Sequence, residues 1–170
     1  MGRVTTSRIS FVDVYVLRGQ GDSLEVLVLR RARDRSRGGS WEGVHGRIED
    51  GETTVATARR EVHEETGCEP LALYNLSRVE HFYLHHDDQV AVVPVFVAFV
   101  APDAVIRLSD EHDTLLWLAP DDAAERCSWP RAARAIADAA HLFRDGNAGV
   151  LEDVLAAQPH SGKRPPRPRS

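Results

Sequence analysis

Two cysteines among 170 residues, Cys68 and Cys127, are too few for a disulfide framework, and they lack the CxxC spacing that would hold zinc. No matched Cys/His arrangement stands near either, so both are expected in the core rather than as nucleophiles. Long apolar runs are missing too. The longest, residues 90–101, is interrupted by Pro94 and falls well short of a membrane span. Residues 1–8 carry no signal-peptide core, so no membrane partner and a cytoplasmic location are expected. Positive charge is not in excess: a formal net charge of −5 counts against a general nucleic-acid binder. No internal repeat is present.

What remains is the composition of an ordinary globule, 42% hydrophobic and 28% charged. A chain of this length buries roughly 70% of its unfolded surface as one domain, here expected over residues 1–158. Residues 159–170 differ in character. They hold Lys163, Arg164, Arg167 and Arg169 without an acid, among four prolines, and read as a disordered basic tail. The body before them therefore carries −9.

Residues 9–17 and 24–29 read as two strands joined by a turn containing Gly19 and Gly21. A charged loop over residues 30–40 leads to a short strand at 41–45. A helix follows, with Thr53 as N-cap and Gly67 just past its end, and with Val55, Ala58 and Val62 forming its apolar stripe. Residues 71–84 and 89–100 read as a long hairpin, and 114–118 as a further strand. Pro130 opens a helix with Ala132, Ala133, Ile136, Ala140 and Phe143 inward, and a last short helix is expected at 150–156. Helices on both faces of these strands predict an α/β/α sandwich with a mixed sheet.

The chemistry is concentrated in residues 46–68. Gly46, Glu52, Arg60-Glu61, Glu64-Glu65 and Gly67 fall at fixed intervals, and the helical spacing of Glu61, Glu64 and Glu65 turns them to one face. Like charges so placed repel, and a hard divalent cation is the simplest reason to gather them. At roughly 7% usage per residue type, seven fixed positions coincide by chance about once in 10⁸ trials. The pattern resembles the box of the Nudix hydrolase family over all 23 positions, with Cys68 where that family more often has Ile, Leu or Val.

The resemblance implies hydrolysis of a nucleoside diphosphate linked to another group, with Mg²⁺ or Mn²⁺. It implies Glu61 and Glu65 as metal ligands, Glu64 sharing ligand and base duties, and Glu52 as the partner that orients Arg60. Gly46 would bring the backbone close to metal or phosphate. Outside the box, residues 40–49, 108–117 and 127–130 resemble the branch that includes dihydroneopterin triphosphate pyrophosphatase and dATP pyrophosphohydrolase. That resemblance implies Glu111 as a further metal carboxylate or the base. It also implies Arg30 on a terminal phosphate, and His45 and Ser128 lining the substrate pocket. Phe82, in the aromatic and histidine-rich stretch 79–86, could stack on a pterin or purine ring. Tyr83 lies near the tyrosine of diadenosine polyphosphate hydrolases, which makes a dinucleotide the second substrate expectation. An RNA 5′-end pyrophosphohydrolase, recruited by the tail, is a third. A non-enzymatic sensor would be marked by loss of the box glutamates, and all are here. The resemblance also leaves a homodimer open.

Overall fold

The computed structural model describes residues 5–157; the basic segment 159–170 lies outside them. Their elements are strands β1 (Thr6–Ile9), β2 (Phe11–Arg18), β3 (Glu25–Arg31), β4 (Trp41–Glu42), β5 (Val44–Arg47), β6 (Ala72–Leu84), β7 (Gln89–Phe99) and β8 (His112–Leu118), with helices α1 (Thr54–Thr66), α2 (Pro120–Arg126), α3 (Pro130–Phe143) and α4 (Glu152–Leu155). Among the described residues, no helix is long and apolar enough to cross a membrane.

All eight strands share one mixed sheet. β1 and β2 run parallel to β7 in succession along one of its edges, and β6 pairs antiparallel along the other. The beginning of β2 pairs with β5, and its last residues, Leu17 and Arg18, with β3. β3 in turn carries β4 and β8. The two faces bury separate cores. Val12, Val14, Val16, Leu27, Leu29 and Val44 pack on Ala58 and Val62 of α1. Tyr15, Leu17, Val26, Val28, Val95 and Val97 pack on Ala132, Ala135, Ile136, Ala139 and Phe143 of α3. This is the expected sandwich. Phe143 is fully buried against Tyr74 and Phe99, with ring centroids 4.9 and 6.2 Å away.

Four local expectations are corrected. β1 was not read from the sequence, because its residues are exposed and carry no alternation. The strand at 41–45 is two strands parted at Gly43, where a Cβ would meet the Tyr15 ring at 3.1 Å. Ala135 and Ala139, rather than Ala133 and Ala140, join Ala132 as the buried alanines of α3. The last helix is shorter than expected, a 3-10 turn at Gly149–Leu151 followed by α4.

Candidate active site

Helix α1 is bounded by its own sequence. Thr53 Oγ1 accepts from the Ala56 N–H at 3.2 Å, and Gly67 takes the left-handed conformation, φ 71°, that ends the helix. The cap sets the loop before it: Glu52 Oε2 accepts from the Glu49 N–H and from Thr57 Oγ1. Arg60 completes the lock. Its Nε and Nη2 reach the two Glu52 oxygens at 2.8 and 2.9 Å, and Nη2 also donates to the Arg47 carbonyl. Nη1 donates to Glu61 Oε1 at 2.7 Å and Glu64 Oε2 at 3.1 Å. The Arg60 guanidinium holds the Glu52 carboxyl down to a pKa of about 2, and Glu52 in turn pushes the Arg60 pKa up. Glu52 is thereby committed to Arg60.

Glu61 lies across Gly46: a Cβ built on that glycine would sit 1.9 Å from Glu61 Cδ. Gly46 has no positive φ, so its role is to leave room for a carboxylate rather than to make a turn. Glu65 is buried, 4% exposed, and its Oε2 has no hydrogen-bond partner among the described residues. His112, also buried, stands between Glu65 and Glu42: Nδ1 is 3.8 Å from Glu65 Oε2 and Nε2 is 3.6 Å from Glu42 Oε1. Arg31 Nη1 joins Glu42 at 3.2 Å to Glu111 at 3.1 Å. Burial raises the Glu65 pKa well above the usual carboxylate value. Glu61, Glu111 and Glu42 add to the rise, and a hydrogen bond to the His45 backbone opposes it. Burial likewise raises Glu61, against the pull of Arg60. Burial also works against ionised Glu42, but His112, Arg37 and Arg31 outweigh it and lower its pKa.

Glu61, Glu64 and Glu65 are the residues expected to share a cation. Among the described residues, no three His, Cys, Asp or Glu side chains form a ready-made metal cage. Glu61 and Glu64 turn to Arg60, and Glu111 to Arg31. The residues nonetheless fit a hard cation. A buried carboxylate oxygen lies unpartnered, three further acids press electrostatically on it, and Gly46 makes space beside it.

On the opposite face of the sheet, β2 and β5 pair Asp13 with His45, and Asp13 Oδ1 meets His45 Nδ1 at 2.5 Å. Arg131, one residue into α3, donates to Asp13 Oδ2 at 3.3 Å. The His45 ring stacks on Phe11, centroids 5.1 Å apart, and Phe11 is 5.9 Å from Phe82. The Arg131 guanidinium lies over both Phe82 and Trp129, at 5.1 and 5.2 Å. Half-buried rings and a cation thus form one cluster on this face, and His45 immediately precedes Gly46 of the box.

Three expected site residues stand elsewhere. Tyr83 points away from Phe82, as strand alternation requires, and its hydroxyl donates to Asp88 at 2.8 Å. Arg30 pairs with Asp113 at 2.7 Å, while its neighbour Arg31 is the arginine that reaches the acids. A register shift between these two residues accompanies that division. Ser128 Oγ accepts from the Trp41 N–H, so it fastens the α2–α3 loop to β4. Both cysteines are half-buried, and burial pushes the Cys127 thiol up to about 11. Asp13, Arg31, Glu42, His112 and Arg131 were not singled out from the sequence. Asp13 and Glu42 had a signal, each being an acid inside a short β-branched or aromatic run.

Comparison with known proteins agrees with this geometry. The model of the NUDIX domain matches residues 8–139. A Myxococcus xanthus protein named octanoyltransferase is 37% identical over 117 residues, 68% of this chain and 32% of that one. The asymmetrical bis(5′-nucleosyl)-tetraphosphatase of Rattus norvegicus is 34% identical over 87 residues, 50% of this chain and 59% of that one. The chain thus spans under two thirds of either relative. The solved E. coli dihydroneopterin triphosphate pyrophosphohydrolase superposes with a TM-score of 0.60 at 25% identity, covering 74% of this chain and 91% of that one. A complete box, a sandwich that presents it, and a family match over most of the described residues have one reading: this chain belongs to the Nudix hydrolase family.

Proposed function

We propose that the chain is a divalent-cation-dependent pyrophosphohydrolase that cleaves a phosphoanhydride of a nucleoside triphosphate or related compound, such as a pterin triphosphate, by attack of water at phosphorus. The observation that carries this reading is the buried, unpartnered Glu65 oxygen beside Glu61, Glu111 and Glu42. Mg²⁺ or Mn²⁺ held there would neutralise phosphate oxygens and make water more acidic. Glu61, Glu65 and Glu111 would hold it, next to the Gly46 backbone. Glu64, half-exposed and tethered to Arg60, is placed to share in binding or to take a proton from water. Arg60, fixed by Glu52, keeps Glu61 and Glu64 from drifting apart. The aromatic cluster of His45 and Phe82, with Arg131 over it, would offer a stacking surface to the ring end of the substrate.

The likeness to the rat tetraphosphatase supports a second reading, a dinucleoside polyphosphate. The octanoyltransferase name belongs to a protein of which only 32% is matched, and it carries no argument for acyl chemistry here. A substrate panel decides between the readings. Pyrophosphate released from a triphosphate supports the first, and ATP released from diadenosine tetraphosphate supports the second. Glu65→Gln or Glu64→Gln should lower turnover at least about 100-fold. Turnover that survives both would overturn the hydrolytic reading.

A further inference from the structure

β6 is the outermost strand on its side of the sheet. β7 pairs with it from Ala72 to Leu84, and among the described residues its other edge is met only at Leu73 and Tyr74, by Ala157 and Ala156. From Arg78 to Leu84 no described strand takes up that edge. Backbone donors and acceptors left in a row are a template for another strand. Charge does little to guard them, since Arg78 is bonded to Glu80 and to Asp138.

The surface around this edge is apolar. Register sets Val79 beside Pro94, His81 beside Val92 and Tyr83 beside Val90, with Ile9 of β1 on the far side of Val92, all on one face of the sheet. Val79, Tyr83 and Ile9 are 58%, 55% and 53% exposed. Exposed apolar side chains joined into one strip mark a protein contact.

The strip is complementary to itself. About a two-fold axis through His81, two antiparallel β6 strands set Val79 opposite the partner's Tyr83 and Tyr83 opposite the partner's Val79, both on the apolar face. Regular pairing stops at Arg78, where a register shift and the positive φ of Ser77, 55°, bend the strand. Past that bend lies a cavity of about 540 Å³ between β6 and α4, whose lining includes Asn75, Val79, Asp153 and Val154. The exposed tip of the partner's β6–β7 hairpin arrives there, bringing His85 and His86 to the exposed Asp153 carboxylate. Backbone, apolar strip and charge all fit a second copy.

We infer that the chain forms a two-fold dimer by pairing β6 with β6 over Arg78–Leu84, so that one sheet runs through both copies. A strand pair with a few side chains is a small interface, and the dimer therefore exchanges with monomer. The acid cluster is built from α1, β3, β4 and the start of β8, and each copy keeps its own.

Sedimentation velocity over a concentration series should show a reversible monomer–dimer equilibrium. Val79→Lys and Tyr83→Lys, both at exposed positions, should each weaken it about tenfold, because symmetry removes every lost pair twice. His81→Cys, on the axis, should couple to itself through a short bismaleimide. Wild type, with Cys68 and Cys127 half-buried, should not couple, and neither should Leu71→Cys, exposed but outside the paired segment. A monomer at every concentration, a dimer that both lysine variants leave intact, or coupling no stronger at His81→Cys than at Leu71→Cys overturns the inference. The first of these results would assign the edge to a strand of another protein. None of the measurements involves turnover, so the hydrolytic reading stands or falls separately.

Discussion

Arg60 and Glu52 form a fork-to-fork pair, Nε to Oε1 at 2.8 Å and Nη2 to Oε2 at 2.9 Å, that ties helix α1 to the loop in front of it. Lysine cannot reproduce this geometry, because it presents one point charge where the guanidinium presents a planar set of donors. Arg60→Lys should cost about 1–2 kcal/mol of stability, discounted for partial exposure. It should also weaken Mn²⁺ binding, because Glu61 and Glu64 lose their common tether; electron paramagnetic resonance titration of Mn²⁺ measures this. The Glu52 pKa is depressed to about 2, so its stabilisation is in place above the ordinary value of 4.5 and fades as pH falls toward 2. Urea denaturation at pH 7 and pH 3 should therefore show the Arg60→Lys deficit shrinking in acid.

Gly46 and Glu61 compete for one volume. Gly46→Ala places a methyl group where the Glu61 side chain now lies, and that flexible chain must swing aside. The fold should persist while Mn²⁺ affinity falls roughly tenfold, in line with loss of a supporting contact at a metal site. A double-mutant cycle sharpens the point. If the glycine serves Glu61, Gly46→Ala should cost almost nothing further in a Glu61→Ala background. Additive losses would mean that the glycine acts through its own backbone.

Glu65 links pH to stability. Its pKa is raised by burial and then by Glu61, Glu111 and Glu42, so the folded chain keeps a proton there after the unfolded chain has released its own. In cation-free protein, stability should fall as pH climbs above 4.5 toward the higher folded value. Glu65→Gln removes this titration. Its Tm should hold through the window in which the wild type declines, even though the variant has lost turnover. Added Mg²⁺ should raise the wild-type Tm most at the upper end of that window, where the carboxylate is free to bind it. Calorimetry at a series of pH values, with and without Mg²⁺, checks both statements.

Phe82 and Tyr83 are neighbours with opposite outlooks. Phe82 is half-buried under the Arg131 guanidinium, and Tyr83 is 55% exposed with its hydroxyl on Asp88. Phe82→Ala should raise KM about tenfold with little change in kcat, as loss of one stacking surface would. Tyr83→Ala should change either constant less than about twofold. Steady-state kinetics on the best substrate of the panel tests the pair, and the reverse ranking would move the ring site to the other face of β6.

Much of this could be read from residues alone because the signals were local. Thr53 and Gly67 bracket α1 through backbone chemistry, and the box acids follow a helical period, so neither needs knowledge of distant partners. The pairing of those acids was hidden, since Arg31 and His112 reach them from strands far away in sequence. β1 escaped for a similar reason: an exposed strand paired to β7 leaves no hydrophobic alternation to find. Asp13 illustrates the middle ground. Its acid inside an apolar strand was visible, but the partners that explain it, His45 and Arg131, lie 32 and 118 positions away.

β4 is two residues long, with the Trp41 ring at a cavity on one side of the sheet and the Glu42 carboxylate among acids on the other. So short a segment has no spare length to absorb an insertion or deletion, and a slip of one position would exchange indole for carboxylate. An added or missing residue in this strand would therefore pull the indole out of its cavity wall and the carboxylate out of the acids in a single step.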